Sequence, residues 1–273
     1  FPNEISIDLL RYERRYFYLL RKHIRVATQM DTVLQSCNIR ISNYLSHINR
    51  SKSYENVLTL IIAGETSIEK LLGCIHGRTR NKHGTETMRA AITGVIKDSD
   101  RRVLRQMQQE KELIESQQQE CISCMQEIVN SYCFEAYELL LTLHGVKQLN
   151  ALCIIAEIGT HMECFETSSK LVGWAGLKPR NDESAGKIKS RKTTKGNKYL
   201  RITLTQAAWS AARTKGSRFN SKYTALRARH VKEQKALIAI ARKMLVIIWN
   251  MLTYKTAFDP DRHLLKPRLG HGS

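Results

Sequence analysis

The stretch that decides the fold is Glu233–Tyr254, with the sequence EQKALIAIARKMLVIIWNMLTY. Its apolar residues cover most of a helical surface, which predicts a long helix buried in a core. They are Leu237, Ile238, Ile240, Ala241, Leu245, Val246, Ile248, Trp249 and Leu252. Because proline occurs only at positions 2, 179, 260 and 267, nothing forces a helix to break between residues 3 and 178. No strand pattern exceeds a few residues, so we expect a mainly α fold.

Two further long helices are predicted nearer the N-terminus, over residues 4–37 and 98–133. The first carries an apolar stripe at helical spacing, formed by Leu10, Phe17, Leu20, Ile24, Ala27 and Leu34. The stripe of the second is formed by Val103, Met107, Ile114, Cys121, Met125, Ile128 and Tyr132. A helix of about 35 residues is roughly 50 Å long, so we interpret residues 1–133 as an antiparallel helical or coiled-coil arm. The exposed apolar seams of such an arm also predict a homo-oligomer.

The net charge of +19 is concentrated in one part of the chain. Residues 1–164 hold 20 Lys and Arg against 19 Asp and Glu, whereas residues 165–273 hold 24 against 6. Like charges at this density repel one another unless a polyanion neutralises them, so nucleic acid is the first expected partner. We therefore predict a basic compact helical domain over residues 134–258, followed by a tail over 259–273.

This domain opens with a helix, a tight glycine turn and a second helix. The sequence LLLTLHGVK at 139–147, followed by the apolar stretch 151–158, resembles a helix-hairpin-helix element. In that element the N–H groups of the turn and the next helix N-terminus hold a DNA phosphate without reading bases. Gly145 and Lys147 are therefore candidate DNA contacts. The motif favours glycine where this chain has Lys147, and an ordinary αα-hairpin explains the stretch equally well.

The densest basic segment is a polar loop that follows Pro179 and has room for a small hairpin. Residues 178–201 hold nine Lys and Arg against Asp182 and Glu183. Ser184 lies in this loop among small residues with cations on both sides, where fixed positive charges can stabilise the phosphoryl oxygens under attack. By chemistry alone, a phosphate-binding or simply solvated hydroxyl is the more common role for such a serine. The candidate DNA or RNA contacts are Arg180, Lys187, Lys189, Arg191, Lys192, Lys195, Lys198 and Arg201.

Other chemistry is poorly supported by the sequence. Cys121 and Cys124 form a single CxxC inside a predicted helix, which favours packing over zinc binding. His144, His161 and His230 have no triad-like neighbours, and no cluster of carboxylates suggests a two-metal nuclease site. We therefore assign no metal ligand. Seven scattered cysteines favour a reducing, cytoplasmic location, and no apolar run approaches a membrane span, so we expect no membrane partner.

Three segments of the basic domain carry a family resemblance. They are LHGV at 143–146 with AEIG at 156–159, Phe165 with LVGWAGLKP at 171–179, and ESAGK at 183–187 with KGNKYLR at 195–201. In order and spacing they resemble the C-terminal transposase domain of the DEDD-type insertion-sequence transposases, a family of bridge-RNA-guided recombinases. The resemblance covers roughly residues 134–258, and the preceding helices are similar to the connecting coiled-coil region of that family.

The resemblance implies a DNA-transposing recombinase that cuts and joins DNA through a serine-linked phosphodiester, with Ser184 at the nucleophile position. It also implies DNA and a structured guide RNA as partners, and magnesium held by an N-terminal RuvC-like domain with four acidic residues. The first residues of the chain resemble the region that comes directly after that domain, so we expect a truncated transposase with no cofactor of its own and no activity alone.

Two rival classes of function remain open. A non-catalytic nucleic-acid-binding module, or an inactive transposase remnant, would keep the fold and the charge without the chemistry. A structural coiled-coil adaptor would explain the first half of the chain, but not the 24 cations against 6 carboxylates of the second.

Overall fold

The computed structural model describes residues 4–179, 182–184, 187–190 and 193–260, with only the backbone of 182–184 and 187–190. Across these residues the fold is mainly α, as predicted, and the two strands are short. The first six helices are α1 Glu4–Ser36, α2 Lys52–Ile62, α3 Ile68–Gly73, α4 Gly77–His83, α5 Thr85–Ile92 and α6 Asp98–Tyr132. The remaining elements are α7 Phe134–Leu141, α8 Gln148–Ile158, α9 Ser168–Trp174, β1 Asp182–Ser184, β2 Lys187–Ser190, α10 Lys198–Arg213, α11 Arg218–Ala228 and α12 Glu233–Tyr254. The predicted tail lies mostly outside the described residues.

The chain divides into two compact units. The smaller unit is Arg14–Cys121, and the larger unit combines Phe1–Glu13 with Ile122–Ser273. Helices α1 and α6 each contribute residues to both units, whereas α7 to α12 and the strand pair belong to the larger one.

In the smaller unit the two long helices run antiparallel, as the sequence predicts. Arg15 on α1 donates a hydrogen bond to Gln117 on α6 at 3.1 Å. The ring of His23 lies 2.8 Å from Glu115, so the partner number falls as the α1 number rises. A shared apolar core stabilises the pair, formed by Leu19, Val26, Met30, Leu34, Leu104, Ile114 and Cys121 with residues of α2, α3 and α5. A knobs-into-holes coiled coil stays a prediction.

The predicted apolar stripes were wrong at three positions. Ile24 is 45% exposed, Val103 is 40% exposed and Tyr132 is 66% exposed. The rest of each predicted stripe is buried or half-buried, and at two of the three positions a neighbour, Leu104 or Val129, lies in the core. Period counting locates an apolar face to within about one position, and only the packing partner fixes which neighbour points inward.

Helix α12 lies in the core of the larger unit and packs against α7, α9, α10 and α11. Its residues Ile240, Met244, Leu245 and Ile248 are fully buried, which confirms the core helix predicted from its composition. By length and composition α12 could also cross a membrane, but 56% of its apolar window is buried inside the fold. That burial is typical of the core helix of a soluble protein.

Local capping explains where the helices of this unit begin. Thr167 accepts a hydrogen bond from the Lys170 N–H and starts α9. Ser217 accepts from the Asn220 N–H at 3.0 Å and donates to the Ala211 carbonyl at 2.9 Å. Because this serine caps α11, the helix begins at Arg218.

Candidate nucleic-acid interface

The basic loop contains a two-stranded antiparallel hairpin. In its register Asp182 pairs with Ser190, Glu183 with Ile188 and Ser184 with Lys187, with an irregularity between Asp182 and Glu183. An isolated antiparallel bridge pairs Pro179 with Thr193 at the base of the hairpin. Ser184 is therefore the last residue of β1, and Lys187 is opposite it on β2.

Two glycines hold the base of this hairpin together. We call residues 176–179 and 193–197 the hairpin stem. A Cβ added to Gly196 would lie 2.2 Å from the Gly176 nitrogen, and Gly176 itself adopts a φ of +68°. The Thr194 N–H also donates to the Lys178 carbonyl at 2.9 Å. Only residues without a side chain allow the two backbones to approach this closely.

Asn197 connects the stem to two helices. Its side-chain oxygen accepts hydrogen bonds from the N–H groups of Tyr199 and Leu200 at 3.0 and 3.1 Å, which caps α10. Its side-chain amide donates to Glu157 on α8, and its backbone N–H donates to the Trp174 carbonyl at 3.0 Å. All three segments that carry the family resemblance therefore meet at the stem.

In the helix–glycine–helix turn, the backbone of Gly145 packs directly against α10. Gly145 has a φ of +92°, and an added Cβ would lie 2.4 Å from the Ala207 carbonyl oxygen and 2.6 Å from the Ala211 nitrogen of α10. The Val146 N–H donates to the Leu143 carbonyl, and the Lys147 N–H donates to the Asn150 side chain at 3.2 Å. These two N–H groups are thus engaged within the turn, and the phosphate contact by Gly145 and Lys147 stays a prediction.

The structure places some of the predicted cations and not others. Lys195 and Lys198 are exposed on either side of the α10 N-terminus, and the Lys198 ammonium lies 4.9 Å from the centre of the Tyr199 ring. Arg201 is half-buried one turn further along α10. Arg180, Arg191 and Lys192 lie outside the described residues, and of Ser184, Lys187 and Lys189 only the backbone is described.

Sequence reasoning missed a groove of about 950 Å³ in the larger unit. We call it the cationic groove. Its charged lining consists of Arg201, Lys222, Lys235, Arg242 and Lys243, and its apolar lining of Leu177, Pro179, Ile238, Ala239 and Val246. Thr193 and Gln234 complete it. No carboxylate is among the lining residues that the structure describes, so the groove is an anion-attracting surface.

A sequence signal for this groove exists in α12. Lys235, Ala239, Arg242 and Val246 recur at steps of four, three and four, which places them on one face of a helix. The other residues of α12 are strongly apolar, so the pattern of the whole helix predicts a buried core helix and does not draw attention to this face. Only the stem and α11, folded beside it, turn the face into a groove.

The charged form of Lys243 is disfavoured in the groove. Burial lowers its pKa from the ordinary lysine value, and the positive charges of Lys222 and Arg218 lower it further. Burial of a cation beside like charges disfavours the charged form, and a bound anion would remove that penalty. Within the described ranges, no carboxylate forms an ion pair with Lys222, Lys235 or Lys243.

The described residues do not fit a magnesium site. Among them, no three or more His, Cys, Asp or Glu side chains come together in a group that could hold a metal ion. Since magnesium prefers several carboxylate or phosphate oxygens, we derive no step of chemistry through a metal from this part of the chain.

No curated protein matches the chain. Residues 137–224, from α7 to α11, match the family model described as Transposase IS116/IS110/IS902 family. This match supports a transposase domain, and with it a function in DNA transposition or recombination, for this part of the chain.

Proposed function

We propose that the larger unit binds DNA as the transposase part of a recombinase, and that Ser184 is the residue that attacks the DNA. One observation carries the proposal: the hairpin that bears Ser184 is pinned by a stem in which all three resembling segments meet. The family match covers this stem and the helices that it joins. A hairpin held so firmly at its base is suited to presenting a nucleophile in a fixed position.

In the proposed reaction, the Ser184 Oγ attacks a DNA phosphorus. An O–P bond forms as the P–O bond to one sugar oxygen breaks, the serine loses its proton and the released sugar oxygen gains one. The covalent link conserves the phosphodiester, so the strand can be rejoined without a nucleotide cofactor. Cations around the hairpin would stabilise the charge on the phosphoryl oxygens.

DNA binding is tested first, on the chain as it stands. We expect affinity to fall steeply with salt, with a log–log slope of about −0.9 for each duplex phosphate contacted, because counterions are released on binding. Truncating Arg191 and Lys192 should weaken binding to all sequences alike. Salt-independent binding, or none at low salt, would contradict the proposal. A competition between duplex DNA and structured RNA tests the guide-RNA partner.

The role of Ser184 needs a second experiment. In a reaction supplied with the acidic domain of the family, magnesium and a guide RNA, we expect a denaturation-resistant protein–DNA species. Ser184→Ala should abolish this species while DNA affinity stays nearly unchanged, and Ser190→Ala, in the same hairpin, should affect neither. An adduct that survives in Ser184→Ala would exclude this nucleophile. Equal loss of affinity and adduct would favour a phosphate-binding hydroxyl.

The rival function is a non-catalytic nucleic-acid-binding module. Steep salt dependence with no adduct under any of these conditions would favour that rival. Self-association through the long helices is a separate proposal, which sedimentation over a range of concentrations would test.

A further inference from the structure

The cationic groove contains cations that belong neither to the hairpin nor to the region that matches the family model. Two of its cations, Arg201 and Lys222, lie in the matched region, whereas Lys235, Arg242 and Lys243 lie beyond it on α12. The groove is therefore a surface that the matched region forms only together with the C-terminal helix.

We propose that the cationic groove holds the sugar–phosphate backbone of one DNA strand, with the phosphates on Lys222, Lys235, Arg242 and Lys243 and the deoxyribose faces on the apolar floor. This inference rests on the proposed DNA binding and adds the location and chemistry of the contact.

The charge pattern favours a polyanion over a single anion. Five cations on three helices surround one groove, and in the described part of the chain none has a carboxylate partner. A lone phosphate would neutralise one or two of them, whereas successive phosphates of a strand would neutralise the set. The lowered pKa of Lys243 points the same way, since an adjacent anion would stabilise its cationic form.

The uncharged lining favours DNA backbone over stacked bases and over RNA. No aromatic residue is among the described residues that line the groove, so it offers no platform on which bases could stack. Ile238, Ala239, Val246 and Leu177 form a floor that suits the apolar face of deoxyribose. Among the uncharged lining residues that the structure describes, only Thr193 and Gln234 offer hydrogen-bond partners to a ribose 2′-hydroxyl, through which proteins distinguish RNA from DNA.

Residue-level footprinting of the full chain tests this inference. Lysines are acetylated with and without duplex DNA, and the modification of each is measured by mass spectrometry. We expect DNA to protect Lys222, Lys235 and Lys243, and to leave the exposed Lys215 and Lys255 of the same unit modified. A deoxynucleoside monophosphate at equal phosphate concentration should protect none of them, and an RNA duplex should protect them less than DNA.

A matched pair of variants adds a binding measurement. Lys235→Gln with Arg242→Gln removes two groove charges, and Lys215→Gln with Lys255→Gln removes two charges outside it. If the groove cations each contact a phosphate, the log–log salt slope of the first variant should become less steep by about 1.8, since each contact contributes about 0.9. The control variant should keep the slope of the unmodified chain.

Every other outcome contradicts one part of the inference: the groove, the polyanion or the choice of DNA. DNA binding with unprotected groove lysines and an unchanged slope would exclude the groove and leave the proposed function intact. Equal protection by the monophosphate would indicate a small-molecule site, and stronger protection by RNA would exclude the DNA assignment. If duplex DNA does not bind at all, both the groove and the proposed function fail. An absent Ser184 adduct has no bearing on the footprint.

Discussion

The backbones of Gly176 and Gly196 lie in direct contact, so close that a Cβ on Gly196 would sit 2.2 Å from the Gly176 nitrogen and 2.5 Å from the Trp174 carbonyl oxygen. This contact closes the hairpin stem at the end of α9 and the start of α10. In the sequence both glycines are simply members of a family pattern. Their physical role is to let two chain segments approach without side chains between them.

Gly196→Ala is expected to open the stem. The new methyl group would overlap backbone atoms, and overpacking of this kind costs about 1–3 kcal/mol. Gly173→Ala provides the control, because a Cβ there meets nothing within 4 Å and alanine is favoured over glycine in a helix. Thermal denaturation should show a lower Tm for Gly196→Ala and an equal or higher Tm for Gly173→Ala. Equal Tm values would argue against the close contact.

Gly145→Ala should destabilise the larger unit more than Gly159→Ala does. Both glycines have a positive φ, at +92° and +67°, so both substitutions carry backbone strain of about 1–3 kcal/mol. Only at Gly145 would the Cβ also overlap α10, through Ala207 and Ala211. A larger loss of unfolding free energy for Gly145→Ala would indicate that the overlap with α10 adds to the backbone strain. If the two variants lose the same stability, Gly145 matters only for its conformation.

Asn197 is expected to contribute both as a helix cap and as a hydrogen-bond donor. Asn197→Ala should cost about 1 kcal/mol through the lost cap alone. Asn197→Asp keeps the capping oxygen but places a carboxylate beside Glu157, which would raise the pKa of the pair in the folded state. The stability of the Asp variant should therefore be greater at low pH and decline as the pH rises. A pH-independent Asp variant would contradict the contact with Glu157.

Lys243→Met is expected to stabilise the free protein and weaken DNA binding. Since burial and nearby cations lower the folded-state pKa of Lys243, the charged side chain destabilises the fold at neutral pH. That penalty is relieved as the pH rises towards about 10.4, the ordinary lysine value, so the Tm advantage of the Met variant should shrink in alkali. Lys215→Met, at an exposed position outside the groove, should leave Tm unchanged. A lower Tm for Lys243→Met at neutral pH would contradict the burial of an unfavourable charge.

The helical fold is largely predictable from local sequence. The apolar periodicity predicts α1, α6 and α12 to within about one residue at their ends. This periodicity lies within each helix, so no tertiary information is needed to detect it. The charge imbalance and the position of Ser184 in a basic loop are likewise properties of the sequence alone.

The tertiary structure decides which residues meet. Glu157 and Asn197 are 40 positions apart, and Gly176 and Gly196 come together because α9 and α10 pack against α12 while α8 packs against α10. The same packing brings Lys222 on α11 beside Lys235 and Lys243 on α12 in one groove, which the α12 sequence by itself does not specify. Periodicity assigns each residue to a face of its own helix. Burial by partners distant in sequence then determines which faces form a core, which form a groove and which stay in solvent.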